Sequence, residues 1–403
     1  MPKLGYILSV SVAAHAYCKS PLAATVITEE FMSTPSKVYF CDMRTKPGGM
    51  NVTQKMTNLI KKGGIGDIDM QGKYVAIKMH FGEYGNIAYL RPQFAKAVAD
   101  VVKEMGGKPF LCDCNTMYTG GRHNGLDHLT TAELDGFNSV TTGCHVVIGD
   151  GIKGTDEVAV PIDGELVKTA YIGKAIYDAD VVIALSHFKG HETAGFGGAL
   201  KNLGMGCASI AGKRDQHSGS KPQVDQSGCV GCGLCTTQCA YSAVTVIDGK
   251  AHVNHSKCVG CGRCVGVCPH KTIHFLEGRT EEILNKKIAE YAAAAIKNKP
   301  HFNINVIMDV SPNCDCHPEN DTPMIPDVGM LCSVDPVAID VASADLCKRQ
   351  HIIENSAAGE SHVHTGDCFC DAHNNTDWSF QVSQGEKMRI GTQEYVLEEI
   401  TDK

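Results

Sequence analysis

"YVAIKMHFGEYGNIAYLRPQFAKAVADVVKEMGGKPFLCD", residues 74–113, holds the alternation that decides the fold. Its first seven residues, 74–80, are apolar and β-branched enough for a buried strand. A helix follows near residues 91–105, with Phe94, Val98, Val101 and Val102 on one face and Gly106 as the stop. "PFLCD" (109–113) is a second short strand. Strand, helix and strand in this order predict parallel neighbours joined by a crossover. "HVVIGD" (145–150), "DVVIALS" (180–186) and "INVIMDV" (304–310) are further strand candidates, and a strand-like pattern opens in "STPSKVYFCDMR" just after Met32. The expected host is an α/β domain with a mainly parallel sheet.

Two cysteine runs interrupt this pattern: "CVGCGLCTTQCA" (229–240) and "CVGCGRCVGVCP" (258–269). Before them, residues 213–227 are polar with Gly and Pro, the composition of a linker. Between them, Asp248-Gly249 separates two alternating segments and predicts a tight hairpin. After them, Thr280 is placed to cap a helix running to about Asn298. Glu281 and Glu282 lie in its first turn, Lys297 and Lys299 near its end, and Pro300 beyond. Because the α/β pattern resumes there, the chain divides into a 1–31 extension, expected to be disordered, and a host domain in two parts, 32–218 and 280–403. Residues 219–279 form a small α+β ferredoxin-type insertion between those parts.

Twenty cysteines in a 403-residue chain point to metal or redox chemistry more than to a disulfide framework. Each run reads C-x2-C-x2-C-x3-C. Three thiolates at this spacing can wrap one cubane, and Gly231, Gly233, Gly260 and Gly262 allow the tight loop. In two-cluster ferredoxins the fourth Cys of each run ligates the other cluster. One 4Fe–4S cluster is therefore expected on Cys229, Cys232, Cys235 and Cys268, and a second on Cys258, Cys261, Cys264 and Cys239. Zinc thiolates or disulfides are the alternatives, but neither requires the third and fourth cysteine at fixed spacing, twice. Residues 227–275 resemble the bacterial two-4Fe–4S ferredoxin family. Ala240 departs from the Pro usual after the first run.

In parallel α/β sheets ligands bind beyond the carboxyl ends of the strands. Four such ends carry chemistry-bearing residues. They are His80 and Glu83; Cys112, Asp113, Cys114 and Asn115; His187, Lys189, His191 and Asn202; and Cys314, Cys316 and His317. His187, Lys189 and His191 are candidates for binding or protonating a substrate, against the alternative of loop side chains bonded to backbone. Cys112, Cys114, Cys314 and Cys316 are candidates for an additional thiolate metal site, or are buried packing thiols. "GFGGALKNLGMG" (195–206) offers backbone N–H groups to an anion, or is a plain tight loop before a helix. It matches neither a dinucleotide-binding nor a P-loop pattern. His362, His364, Cys368, Cys370 and His373 make a last metal-capable group, or a solvated segment.

"HFGEYGN…RP", "SHFKGHETAGFGGALKNLGMG", the cysteine runs, "CDCHP" and "PDVGMLCSVDPVAID" together resemble the iron–sulfur center proteins built on domain of unknown function 362, over residues 36–349. The resemblance implies an α/β host coupled to a ferredoxin module and an anaerobic, cytoplasmic setting. It names no substrate. The host is also distantly similar to the catalytic domain of nickel-pincer lactate racemase, which draws attention to His80, His187, Lys189 and His191.

Three functions follow. One is a pure electron carrier. The second is an oxidoreductase whose clusters serve a host pocket, with a further metal or flavin and a small-molecule substrate. The third is a non-redox protein with structural or sensing clusters. Two clusters exceed what a staple needs, and a carrier does not need so large a host, so electron transfer serving host chemistry is expected. A redox partner protein goes with it. The net charge of −8 argues against nucleic acid. No stretch is long and apolar enough for a membrane span. "LGYILSVSVAAHA" near the start is broken by Ser9, Ser11 and His15, so it is taken as an extension before a start at Met32, not as a signal peptide, and the protein as cytoplasmic.

Overall fold

The computed structural model describes residues 34–219, 221–275 and 280–401. The expectations for residues 1–31 lie outside them. Eight strands form the main sheet: β1 (Ser36–Asp42), β2 (Tyr74–Lys78), β3 (Lys108–Asp113), β4 (His145–Ile148), β5 (Val181–His187), β6 (His301–Ile307), β7 (Gly329–Ser333) and β8 (Tyr395–Glu399). Their order is β8-β1-β7-β6-β5-β2-β3-β4. The strands β4, β3, β2, β5 and β6 run parallel, whereas β7 is antiparallel to both β6 and β1. The mainly parallel α/β expectation therefore holds, with one reversed strand inside the sheet.

The two faces of the sheet bury separate cores, and strand periodicity sorts residues between them. On β5, Val181, Ile183 and Leu185 face one core, and Val182 and Ala184 the other. The first core is closed by α1 (Val52–Lys62), through Met56 and Leu59, and by α2 (Pro92–Glu104), through Phe94, Val98 and Val102. Asn51 and Gln54 form a capping box on α1, and Pro92 starts α2 where a missing N–H costs nothing. The second core is closed by α3 (Ala199–Cys207), α4 (Thr280–Ala295) and α5 (Pro336–Lys348). Gly204 lets α3 lie directly on α4, since a Cβ there would collide with the Ile288 carbonyl oxygen. Helix α4 ends at Ala295, three residues short of the expected end at Asn298, which itself turns with φ +58°.

Residues 213–227 are not a linker. A helix, Ile210–Gln216, is capped by Ser209, and the strand Pro222–Val224 pairs antiparallel with Ile273–Phe275. Between these two strands lies a small satellite. Its hairpin, Val244–Ile247 with Lys250–Val253, turns at Asp248 (φ +50°) and Gly249 (φ +72°), as the Asp-Gly pair predicts. Two short helices, Leu234–Thr237 and Arg263–Gly266, each follow a cysteine pair. The satellite has its own core of Cys229, Cys235, Val244, Ala251, Cys264 and Ile273.

Candidate functional site

A cleft of about 1040 Å³, mouth included, opens at the carboxyl ends of β2, β3 and β5 and against the loop after β6. Lys78 ends β2, Asp113 ends β3 and His187 ends β5, so parallel strands alone bring them to one rim. A hairpin, Lys189–His191 with Gly195–Gly197, and helix α3 supply the next wall. Gly260 and Cys261 of the satellite complete it. Five Lys and Arg side chains line this space against three carboxylates.

Asp113 is the buried hub at the inner end. Lys78 Nζ sits 2.9 Å from its Oδ1, Arg122 Nη1 3.8 Å and His128 Nε2 3.7 Å from its Oδ2. Burial pushes the carboxyl pKa up, but these neighbours, Lys78 foremost, outweigh it and hold the group well below the usual range. Lys78 also donates to Asn202 Oδ1 at 2.8 Å, tying β2 to α3. Arg122 pairs with Glu83 at 3.0 Å.

Asp315 is the second hub. Its carboxylate lies 2.9 Å from His187 Nδ1 and 3.9 Å from Lys189 Nζ. His187 Nε2 meets the Met308 carbonyl at 2.7 Å. Both ring nitrogens of His187 thus face oxygen acceptors, and the ring anchors Asp315 instead of offering a lone pair to the cleft. His191 is different. Its Nδ1 accepts the Thr193 and Ala194 N–H groups, both at 3.1 Å, which leaves the ring proton on Nε2. Burial holds His191 well below the ordinary imidazole pKa, so the ring is neutral. His80 matches it: Nδ1 accepts from Gly82 N at 2.9 Å, and burial, then Arg122, keep it neutral.

Asp315 sits between Cys314 and Cys316, and all three line the cleft. Lys201 Nζ donates to Cys314 Sγ at 3.2 Å. The hydrogen bond from Cys314 brings Cys316 down to about 6, and the same contact with burial pushes Cys314 up. Beside them, His317 Nε2 meets Glu192 Oε1 at 3.0 Å.

The four candidate metal cysteines of the host do not come together. Cys314 and Cys316 lie with Lys201, whereas Cys112 and Cys114 lie near Cys207, and of these two only Cys114 also lines the cleft. Burial raises both of those thiols well above the ordinary value, as expected of packing cysteines. Among the described residues, no three His, Cys, Asp or Glu side chains converge where a single ion would sit. The suggested anion cradle at 195–206 is a strand followed by α3, and the first N–H groups of α3 already bind the Asp340 carboxylate at 2.7 and 2.9 Å. In the late group, His362 and His364 are exposed, Cys368 and Cys370 are buried in a short helix, and His373 bonds the Pro312 carbonyl at 2.9 Å.

In the satellite, Cys229, Cys232, Cys235 and Cys268 line one cavity of about 320 Å³. Cys235 is raised by burial and then by Cys232, Cys229 and Cys268. Cys264 is pushed up to about 12 by burial and then by Cys261, Cys258 and Cys239. Backbone N–H groups approach sulfur in both sets: Ala251 N to Cys229 Sγ at 3.4 Å and Ala243 N to Cys239 Sγ at 3.2 Å. The sets lie at different depths. Cys232 is exposed beside exposed Val230 and Leu234, whereas Cys261 lines the host cleft. Arg263 fastens the satellite there, stacked 4.4 Å over Tyr118 and donating to the Cys316 carbonyl at 3.0 Å.

Sequence reasoning did not single out Lys78, Tyr118, Arg122, Glu192, Lys201 or Asp315. Three of these adjoin residues that it did: Asp315 lies inside "CDC", Glu192 follows His191 and Lys201 precedes Asn202. The others carry no local signal.

A model of the family described as domain of unknown function (DUF362) matches residues 75–345. No curated protein matches. Among solved structures, the chain is similar to the lactate racemase apoprotein from Thermoanaerobacterium thermosaccharolyticum, at 12% identity and a TM-score of 0.35, over 67% of this chain and 51% of that one. It is similar to a protein from Thermotoga maritima at 12% identity and a TM-score of 0.32, over 63% of this chain and 50% of that one. The chain spans about half the length of these two structures. The family match runs from the first residues of β2 into α5 and takes in the cleft and all eight satellite cysteines, so the chain belongs to the family of domain of unknown function 362.

Proposed function

We propose that the chain is a cytoplasmic iron–sulfur electron-transfer protein that binds two 4Fe–4S clusters and serves the reduction or oxidation of a small anionic substrate in the host cleft. The observation that carries this reading is the position of Cys261, which belongs to one cysteine set and also lines the cleft beside Cys316 and His191. The cysteine cages fit cubanes. The first set lines one cavity, one thiol of each set is raised by the other three, and backbone N–H groups face sulfurs in both. Bound clusters would supply one-electron exchange. The excess of cationic side chains, Lys189 and Lys201 among them, suits an anion. His191 and His80, neutral and protonated on Nε2, suit proton donation. The exposed rim at Cys232, Val230 and Leu234 suits docking of a redox partner protein.

Anaerobic purification and reconstitution followed by iron analysis and low-temperature EPR tests the proposal. About eight iron atoms per chain, four per cluster, are expected, with two interacting cubane signals on reduction. Protein that takes up no iron under these conditions would overturn the proposal.

A further inference from the structure

We propose that Cys314 and Cys316 are a redox-active dithiol that closes to a disulfide and exchanges electrons with the satellite. This rests on the cluster reading only for where the electrons go; the couple itself stands on the host geometry. The two cysteines flank Asp315 in a tight turn, closed by the His317 N–H to the Cys314 carbonyl at 3.0 Å. Residues two apart in such a turn have Cα atoms within the span that a disulfide bridges. The turn is pinned from three sides. His187 and Lys189 hold the Asp315 carboxylate, and Glu83 N donates to the Asp315 carbonyl at 2.9 Å. With the middle residue fixed, two thiols two residues apart are held on one turn and line the same cleft. Lys201 Nζ at 3.2 Å from Cys314 Sγ favours a thiolate, the form that attacks or leaves in thiol chemistry. The pair lines the cleft that Cys261 also lines, and Arg263 ties the Cys316 carbonyl to the satellite.

In the oxidative direction the S–H bonds of Cys314 and Cys316 break, one S–S bond forms, and two protons and two electrons leave. In the reductive direction the S–S bond takes up two electrons and two protons. Clusters held in the two cysteine cages would supply single-electron exchange with a donor protein, and the dithiol stores the electrons as a pair. His187, on this reading, is a positioning residue that acts through Asp315.

The test uses the full chain, reconstituted anaerobically. Samples are equilibrated with oxidised and reduced dithiothreitol at a series of ratios, quenched in acid, alkylated and mapped by peptide mass. The peptide containing both cysteines is expected to pass from a doubly alkylated form to an unalkylated one two hydrogens lighter than the free dithiol. Its dependence should be that of a two-electron couple, tenfold per about 30 mV. In a dithionite titration of oxidised protein, wild type should take up about two more electrons per chain than Cys316→Ser at equal iron content. Lys201→Met should shift the midpoint. Double alkylation at every ratio would overturn the proposal, whether or not Cys316→Ser folds. If the protein holds no iron, the cluster reading fails, and peptide mapping of the same sample still decides the dithiol.

Discussion

At the scale of single residues, the site is organised by two buried carboxylates. Removing Lys78 from Asp113 leaves a buried charge with Arg122 and His128 at 3.7–3.8 Å as its remaining partners. Lys78→Met is therefore expected to cost about 3–5 kcal/mol in a denaturant titration, and adding Asp113→Asn should recover part of it. The thiol pair gives a pH signature. With its pKa brought down to about 6, Cys316 is a thiolate above that pH and a thiol below it. Its alkylation rate in reduced protein should rise through pH 6 and level off well before the pH of about 8.5 at which an ordinary thiol is half ionised. Lys201→Met removes a cation that favours the thiolate, so the midpoint should move up by about one unit. The cysteine sets were legible from sequence because their spacing is local. Asp315 was not, because its meaning depends on His187 from a neighbouring strand, 128 residues away. His187 was noticed, but its engagement at both ring nitrogens is visible only in three dimensions.

At the scale of elements, patterns with a clear period carried over well. The strands at 74–80 and 109–113 and the helix between them stand within a residue or two of their expected bounds. Elements that broke a compositional rule did not. Helix α3, "ALKNLGMGC", contains two glycines, which oppose helix formation by about 1 kcal/mol each relative to Ala. It forms because Asp340 caps it and α4 covers it. Gly204 is the point of closest approach between the two helices. Gly204→Ala should thus destabilise the fold by about 1–3 kcal/mol through overpacking, despite its better helix propensity. A drop in the midpoint of chemical denaturation at unchanged m-value would register this. The segment 213–227 misled for the converse reason. Its polar, Gly- and Pro-containing composition is that of a loop, yet Pro222–Val224 finds a partner strand 49 residues downstream.

For the whole molecule, local sequence indicated parallel pairing but not the order of the strands. The reversal of β7 and the placing of β1 and β8 at the far edge depend on packing against α5, which no short window reports. Nor did sequence reveal that the satellite presents its two cysteine sets at different depths. If both sets hold clusters as proposed, a chelator under mild oxidant should strip iron in two phases. Cys232→Ala is expected to remove the fast phase and leave the slow one, and Cys261→Ala the reverse. The antiparallel pair Pro222–Val224 and Ile273–Phe275 has a different kind of consequence. The seam sets the outgoing and returning strands side by side, and Arg263 adds a second fastening at the cleft, stacked over Tyr118 and bonded to the Cys316 carbonyl. A recombination event would have had to match both that seam and the Arg263 contact to graft the unit in. A protein engineer who cuts at the seam to transplant it would also have to supply a partner for Arg263.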